Sequence, residues 1–185
     1  MREGAPIRSF LARDGRLVML RAPRWRDLDD MLEFINSLVE EGAEITATEK
    51  KTRDEEVDWL AGLLSDLEKD KRIAIAAEVD GRFIGLVDVT PEKGSSAHVG
   101  VLGIAIKKGY RDIGIGTEMM REAENQARRL GIAILTLDVF ASNSRARHLY
   151  EKLGYVVVGC IPRFLKRGGV YIDKIIMAKT LPDPG

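Results

Sequence analysis

The sequence predicts an α/β fold: a mixed, mostly antiparallel sheet of six to seven strands with about four helices on its faces. Three observations carry this. Two apolar runs flank Asp80-Gly81, a pair that tolerates the positive φ angles of a tight turn, so residues 72–91 read as an antiparallel hairpin. A strand, a glycine loop, a helix and a second strand follow one another over residues 98–140, the order of a parallel crossover. Two further strands, residues 155–165 and 170–181, flank the turn "KRGG".

In chain order, residues 1–15 read as an irregular arm, and residues 16–182 as one domain. "RLVMLRAP" is a short first strand that Pro23 ends. In "RWRDLDDMLEFINSLVEE" the apolar residues Leu28, Met31, Leu32, Ile35 and Leu38 recur at helical spacing. A polar connection, residues 41–56, leads to "VDWLAGLLSDLEKD", a second helix with Trp59, Leu60, Leu63, Leu64 and Leu67 on one face. After the hairpin, "HVGVLGIAI" is apolar at both parities, which predicts that both faces are covered. The next helix presents Met120, Ala123, Ala127 and Leu130 and stops at Gly131. "IAILTLDVF" is another two-sided strand, and "SRARHLYEKLG" a short helix capped by the Ser142/Asn143/Ser144 cluster.

The bulk numbers narrow the function. The chain has 185 residues, with Lys plus Arg and Asp plus Glu at 29 each, so its formal net charge is zero. Nucleic acid and anionic membranes both favour a basic surface, and neither is expected as partner. The single cysteine, Cys160, cannot form an internal disulfide, which fits a cytoplasmic location. It lies in "YVVVGCI" and reads as a small buried residue. No apolar run approaches the roughly 20 residues of a membrane span. The first residues are too broken by charge for a secretory signal.

The chemistry starts at "GYRDIGIGTEMM", residues 109–120. Arg111, Gly114 and Gly116 stand at the mouth of a helix, where unpaired N–H groups and a partial positive charge suit an anion. A nucleotide P-loop needs a lysine after its last glycine; here Thr117 and Glu118 follow Gly116, so that reading fails. A dinucleotide site needs a third glycine where Met119 stands; Asp138 sits at a suitable distance for the ribose, but a hairpin rather than a second crossover unit accompanies the motif. The third pattern is Arg/Gln-x-x-Gly-x-Gly/Ala.

On that pattern the chain resembles the GNAT superfamily of acyl-CoA-dependent N-acetyltransferases. "LGIAIKKGYRDIGIGTEMM" is similar to the family's fourth strand, pyrophosphate loop and third helix. "LTLDVFASNSRARHLYEKLGY" is similar to its fifth strand, the asparagine after it and the helix with Ala-x-x-Leu-Tyr-x-x-x-Gly. "DKIIMAKTL" is similar to the last strand. The resemblance covers roughly residues 70–180 and implies splayed central strands. It implies acetyl-CoA as co-substrate, a primary amine as acceptor, direct attack in a ternary complex and no metal. A homodimer is compatible with it, as is a non-catalytic acyl-CoA-binding module of the same fold.

The residues suit that ligand. Backbone amides of Asp112, Ile113, Gly114, Ile115, Gly116 and Thr117 can converge on a pyrophosphate, with the helix dipole behind them. Arg111 either assists the phosphates or is surface. Gly100 and Gly103 interrupt a strong strand, which predicts a bulge or a close approach. By resemblance the strand at Ile104, Ala105 and Ile106 meets the pantetheine, and an N–H near Gly103 or Ile104 faces the thioester oxygen. Asn143 either holds the coenzyme or caps a helix, and Arg147 on that helix is assigned to the coenzyme. Tyr150 matches the family's general acid, or packs with Ala146, Leu149 and Leu153.

The strand 98–106 carries no carboxylate, although many family members place their base there. His98, of the residue type that changes charge near neutral pH, is the first candidate base, with Glu78 and Asp88 as alternatives. Glu41 and Glu44, with Glu40, suit a cationic acceptor or are solvated surface. "RFLKRGGVYID" is basic, carries Tyr171 and Asp173, and suits an acidic group on the acceptor equally well.

Overall fold

A computed structural model describes residues 2–182. Eight strands form one sheet: β1 (Pro6–Leu11), β2 (Leu17–Arg21), β3 (Ile73–Val79), β4 (Arg82–Pro91), β5 (Val99–Ile106), β6 (Ile134–Phe140), β7 (Val156–Arg167) and β8 (Val170–Thr180). Their order is β1-β2-β3-β4-β5-β6-β8-β7. Only β5 and β6 run parallel. The helices are α1 (Leu28–Glu40), α2 (Arg53–Glu68), α3 (Ile115–Arg129) and α4 (Ser144–Lys152). The predicted class is thus met, with one strand more.

That extra strand corrects the reading of residues 1–15 as irregular. β1 pairs with β2 from Leu11↔Leu17 to Pro6↔Arg21. Four of its six residues are exposed, so burial does not mark it in the sequence. The turn after it rests on the glycine loop. The Arg13 N–H donates to the Ile113 carbonyl at 2.9 Å. The Arg16 guanidinium donates to the Gly109 carbonyl at 2.8 Å and lies 4.4 Å from the centre of the Tyr110 ring.

Two cores flank the sheet. Leu28, Met31, Phe34 and Leu38 of α1 meet Leu60, Leu63 and Leu67 of α2 over Ala74, Ala76 and Phe83. On the other face Met119, Met120, Ala123 and Ala127 of α3 and Tyr150 of α4 pack over Ile75, Val87, Leu102 and Leu135. Leu130, expected in the α3 stripe, is exposed, and Met119 takes the buried place. Cys160 is exposed, not buried, because β7 is the outer strand of the sheet.

The start of α1 is pinned by a buried ion-pair network. Arg21 of β2 donates twice to Asp27, both bonds at 2.7 Å, and once to Glu78 of β3 at 2.7 Å. Arg24 reaches the same two carboxylates. Glu78 is therefore structural, not a base.

The β4–β5 register runs without a shift from Gly85↔Ile106 to Pro91↔Gly100, so the bulge expected at Gly100 and Gly103 is absent. Gly100 answers to packing instead: an added Cβ would lie 2.6 Å from Val89 Cγ1 and 3.1 Å from Leu135 Cδ2. Gly100→Ala is expected to cost about 1–3 kcal/mol of stability by overpacking, read as a lower urea midpoint. A midpoint equal to wild type would mean that Val89 and Leu135 yield freely.

Candidate active site

β5 is held on both sides only at its start. It pairs with β6 from Val99↔Ile134 to Val101↔Thr136 and no further. The Lys107 N–H bonds to Ile84 and the Val99 carbonyl to Glu92, so odd-numbered residues of β5 point their backbone at β4. Leu102, Ile104 and Ile106 point theirs into the widening gap beside β6. The Ile106 carbonyl there accepts from Arg111 Nε at 2.7 Å. This is the predicted splay, and beyond the last ladder bond, from the Leu102 N–H to Thr136, it leaves the Leu102 carbonyl, the backbone of Ile104 and the Ile106 N–H open to an extended ligand. Ala105 turns its backbone to β4, so of the three residues assigned to the pantetheine only Ile104 and Ile106 face the gap.

At the end of that gap the glycine loop meets α3. Asp112 (φ 64°) and Gly114 (φ 93°) are both left-handed, a backbone that turns successive N–H groups to one side. Gly114 is the N-cap and supplies no side-chain cap, so the first-turn amides of Ile115, Gly116 and Thr117 stay open. The helix begins at Ile115, directly after this glycine. Gly116 serves packing as well: a Cβ there would meet Ile106 Cδ1 and Leu149 Cδ2, each at 3.3 Å.

Several side chains assigned to the coenzyme have protein partners. Arg111 bonds the Ile106 carbonyl and forms an ion pair with Glu41, tying the loop to the end of α1. Asn143 Oδ1 accepts from the Ala146 N–H at 3.1 Å and so caps α4. Arg147 pairs with Glu151 at 3.2 Å.

On the other face of β5 lies a cleft of about 370 Å³ between α1, α2 and the sheet. Its walls are mostly apolar: Phe34 and Leu38 from α1, Trp59 from α2, Phe83 and Leu86 from β4. Its floor is Gly103, Ile104 and Ala105, so the cleft and the β5–β6 gap share one short piece of strand. The expectation that both faces of β5 are covered fails here. Val101 and Gly103 are exposed because α1 and α2 stand away from them.

The ionisable residues of the cleft are Lys51, Glu55, Glu56 and Asp88. Burial pushes the Asp88 carboxyl above the usual range although Arg72, bonded at 2.5 Å, pulls it down. Burial likewise pushes Glu56 up, opposed by the charge of Lys51. His98 is not among the lining residues: it is exposed before the start of β5, about 16 Å along the strand from Gly103 at ~3.3 Å per residue. That placement removes it from the acceptor amine. Glu41 and Glu44 are not in the lining either; Glu41 is engaged with Arg111. The connection they belong to does border the cleft, through Ile45, Thr46 and Ala47. The tip of the β7–β8 hairpin holds it, since Arg167 donates to the carbonyls of Gly42, Ala43 and Ile45.

Glu55 and Glu56 escaped the sequence reading because α2 starts at Arg53, four residues earlier than its apolar stripe suggests. The signal was present: Thr52 and Glu55 form a capping box, each side chain bonding the other's backbone N–H.

Comparison with known proteins agrees with this geometry. The acetyltransferase (GNAT) family matches residues 32–155. An N-acetyltransferase of Methanocaldococcus jannaschii, described as uncharacterized, is 31% identical over 108 residues, 58% of this chain and 65% of that protein's length. An acetyltransferase of the GNAT family from Streptococcus pneumoniae superposes with a TM-score of 0.78 at 27% identity, covering 89% of this chain and 99% of its own. A phosphinothricin acetyltransferase from Sinorhizobium meliloti, solved with acetyl-CoA, shares the fold at a TM-score of 0.78 and 18% identity, with 89% and 88% covered. With the matched family spanning both the cleft and the loop that opens α3, the chain belongs to the acetyltransferase (GNAT) family.

Proposed function

We propose that this chain transfers acetyl from acetyl-CoA to a primary amine held in the cleft beneath α1 and α2, by direct attack in a ternary complex. The observation that carries the reading is the short strand Gly103–Ala105, which floors the amine-sized cleft on one face and borders the open β5–β6 edge on the other. Acetyl-CoA laid along that edge would put its pyrophosphate at the open amides of Ile115 to Thr117. Its pantetheine would pair with Ile104 and Ile106, and its thioester would come near Gly103 and Ile104. A backbone N–H on that strand is suited to the oxyanion that forms during attack. Tyr150, on α4 beyond the gap, is the candidate donor to the departing thiolate. The acetyl-CoA complex of the S. meliloti protein supports the choice of donor.

The test is release of free thiol from acetyl-CoA over a panel of primary amines. We expect turnover with at least one amine and none with secondary alcohols of the same shape. Acetyl-CoA binding without thiol release across the panel would reduce the chain to an acyl-CoA-binding module.

A further inference from the structure

We infer that Glu56 takes the proton from the incoming ammonium, with Asp88 beside it fixing where that ammonium sits. The inference rests on the acetyl-transfer reading above and names the base that the reading lacks. Glu56 is 6% exposed, yet no described residue gives its carboxylate a hydrogen bond or an ion pair. Its carboxylate oxygens are not among the sealed, unpartnered ones of the fold; they open into the cleft and keep their accepting positions free. A cationic amine is the partner such a carboxylate would take, and Glu56 lines the cleft where the amine must sit.

The surroundings define its charge. Lys51, in the connection before α2, lies 3.4 Å from Glu55 and is that residue's partner. Asp88 on β4 binds Arg72 through Oδ2 alone, at 3.0 and 2.5 Å. The lining residues from α1 and β5 carry no charge. Lys51 is therefore bonded to Glu55 and Arg72 to Asp88, and Glu56, which feels the Lys51 charge at longer range, is the cleft carboxylate with no bonded cation among the described residues. The free Asp88 Oδ1 faces the strand: a Cβ on Gly103 would be 3.3 Å from it. An ammonium between Glu56 and Asp88 is thus directed at the floor where the thioester comes to rest. Glu56, Asp88 and Gly103 line the same cleft, so the proton can pass to Glu56 directly or through one water.

The proton count closes. The ammonium gives one proton to Glu56, which passes it to solvent. The neutral nitrogen attacks the thioester carbon, a C–N bond forms and the C–S bond breaks. The amide nitrogen loses a second proton to solvent, and the thiolate takes one from Tyr150, which recovers it from solvent, leaving amide and thiol. Burial raises the basicity of Glu56, bringing it nearer the working pH, as a base requires.

The test is the pH profile of kcat/KM for a primary amine of pKa about 10.4. In the wild type the reacting forms are ionised Glu56 and the ammonium, so the profile should be level between their two pKa values. Glu56→Gln keeps the shape and removes the base. We expect kcat/KM at pH 7 to fall by about 10²–10⁴, with acetyl-CoA affinity by calorimetry unchanged. The variant should then regain roughly tenfold per pH unit, following the free-amine fraction. A Glu56→Gln profile that stays level, with kcat/KM near wild type, overturns the assignment and leaves acetyl transfer intact. Wild-type protein that binds acetyl-CoA but releases no thiol with any amine overturns the transfer reading itself, and the role of Glu56 with it. If Glu56→Gln binds no acetyl-CoA, Glu56→Asp replaces it: a level profile at lower rate supports the assignment, and a sloping one overturns it.

Discussion

Tyr150→Phe is expected to lower kcat about 10²-fold while acetyl-CoA binds as before. The substitution keeps the ring, which packs on α4 against Tyr155 with centroids 6.2 Å apart, and removes only the hydroxyl. Burial pushes the Tyr150 phenol up to about 12. The consequence is double. The proton stays on through any working pH, so the acid is always loaded. It is also held tightly, which places the effect at the lower end of the 10²–10⁴ range for general acids. The sign of the pH effect follows. A phenol raised from 10.0 to about 12 leaves stability intact below pH 10 and weakens it as pH climbs toward 12. No alkaline loss of activity below about pH 11 should therefore trace to this group. Single-turnover thiol release measured for both proteins checks this. A Phe variant with wild-type kcat would make Tyr150 a residue of the sheet core and leave the thiolate to solvent.

Arg21→Met should be the most destabilising single change described here, at about 3–5 kcal/mol. Arg21 and Asp27 are each 3% exposed, and removing the guanidinium strands Asp27 with only Arg24 and the Arg24 N–H as donors. Glu78 loses one of its two arginines at the same time. For a chain of this size the melting temperature should drop by roughly 6–20 °C. Circular dichroism on heating is the measurement. A drop below about 2 °C would show that Arg24 alone neutralises both carboxylates. Because Asp27 sits where α1 leaves the sheet, the variant should also loosen the wall of the cleft that Phe34 and Leu38 provide.

The local signals of the sequence carried the architecture well. Asp80-Gly81 set the hairpin, and the apolar spacing of α1 and the glycine stops of α3 and α4 set the helices. β1 was lost because its residues are mostly exposed, so alternation has no buried face to reveal it. The coenzyme side was legible because it is built from backbone: a left-handed Gly114, an uncapped helix start and an unpaired strand edge each leave a glycine or a gap in the pattern. The acceptor side was not. Its carboxylates come from α2 and β4, far apart in the chain, and nothing local distinguishes Glu56 from the solvated acids around it. Charge at the right place in the sequence also misled, since Arg111 and Glu41, assigned to different ligands, bind each other.

The contact between the β1–β2 turn and the glycine loop has a kinetic meaning. Arg16 and Gly109 are 93 positions apart, and β3, β4 and β5 must assemble between them before the two can meet. Closing so wide a loop costs entropy that the pairing of β2, β3, β4 and β5 returns. During synthesis β1 to β5 all emerge before the glycine loop, so the loop becomes firm only once those strands have assembled and brought the β1–β2 turn beside it. A ligand seated on that loop selects chains in which β1 to β5 are assembled over those in which they are not. At a hundredfold excess over its dissociation constant it would add about 2.7 kcal/mol to the stability of the entire domain. The cellular level of such a ligand would then act on how long the protein survives, as well as on how fast it turns over.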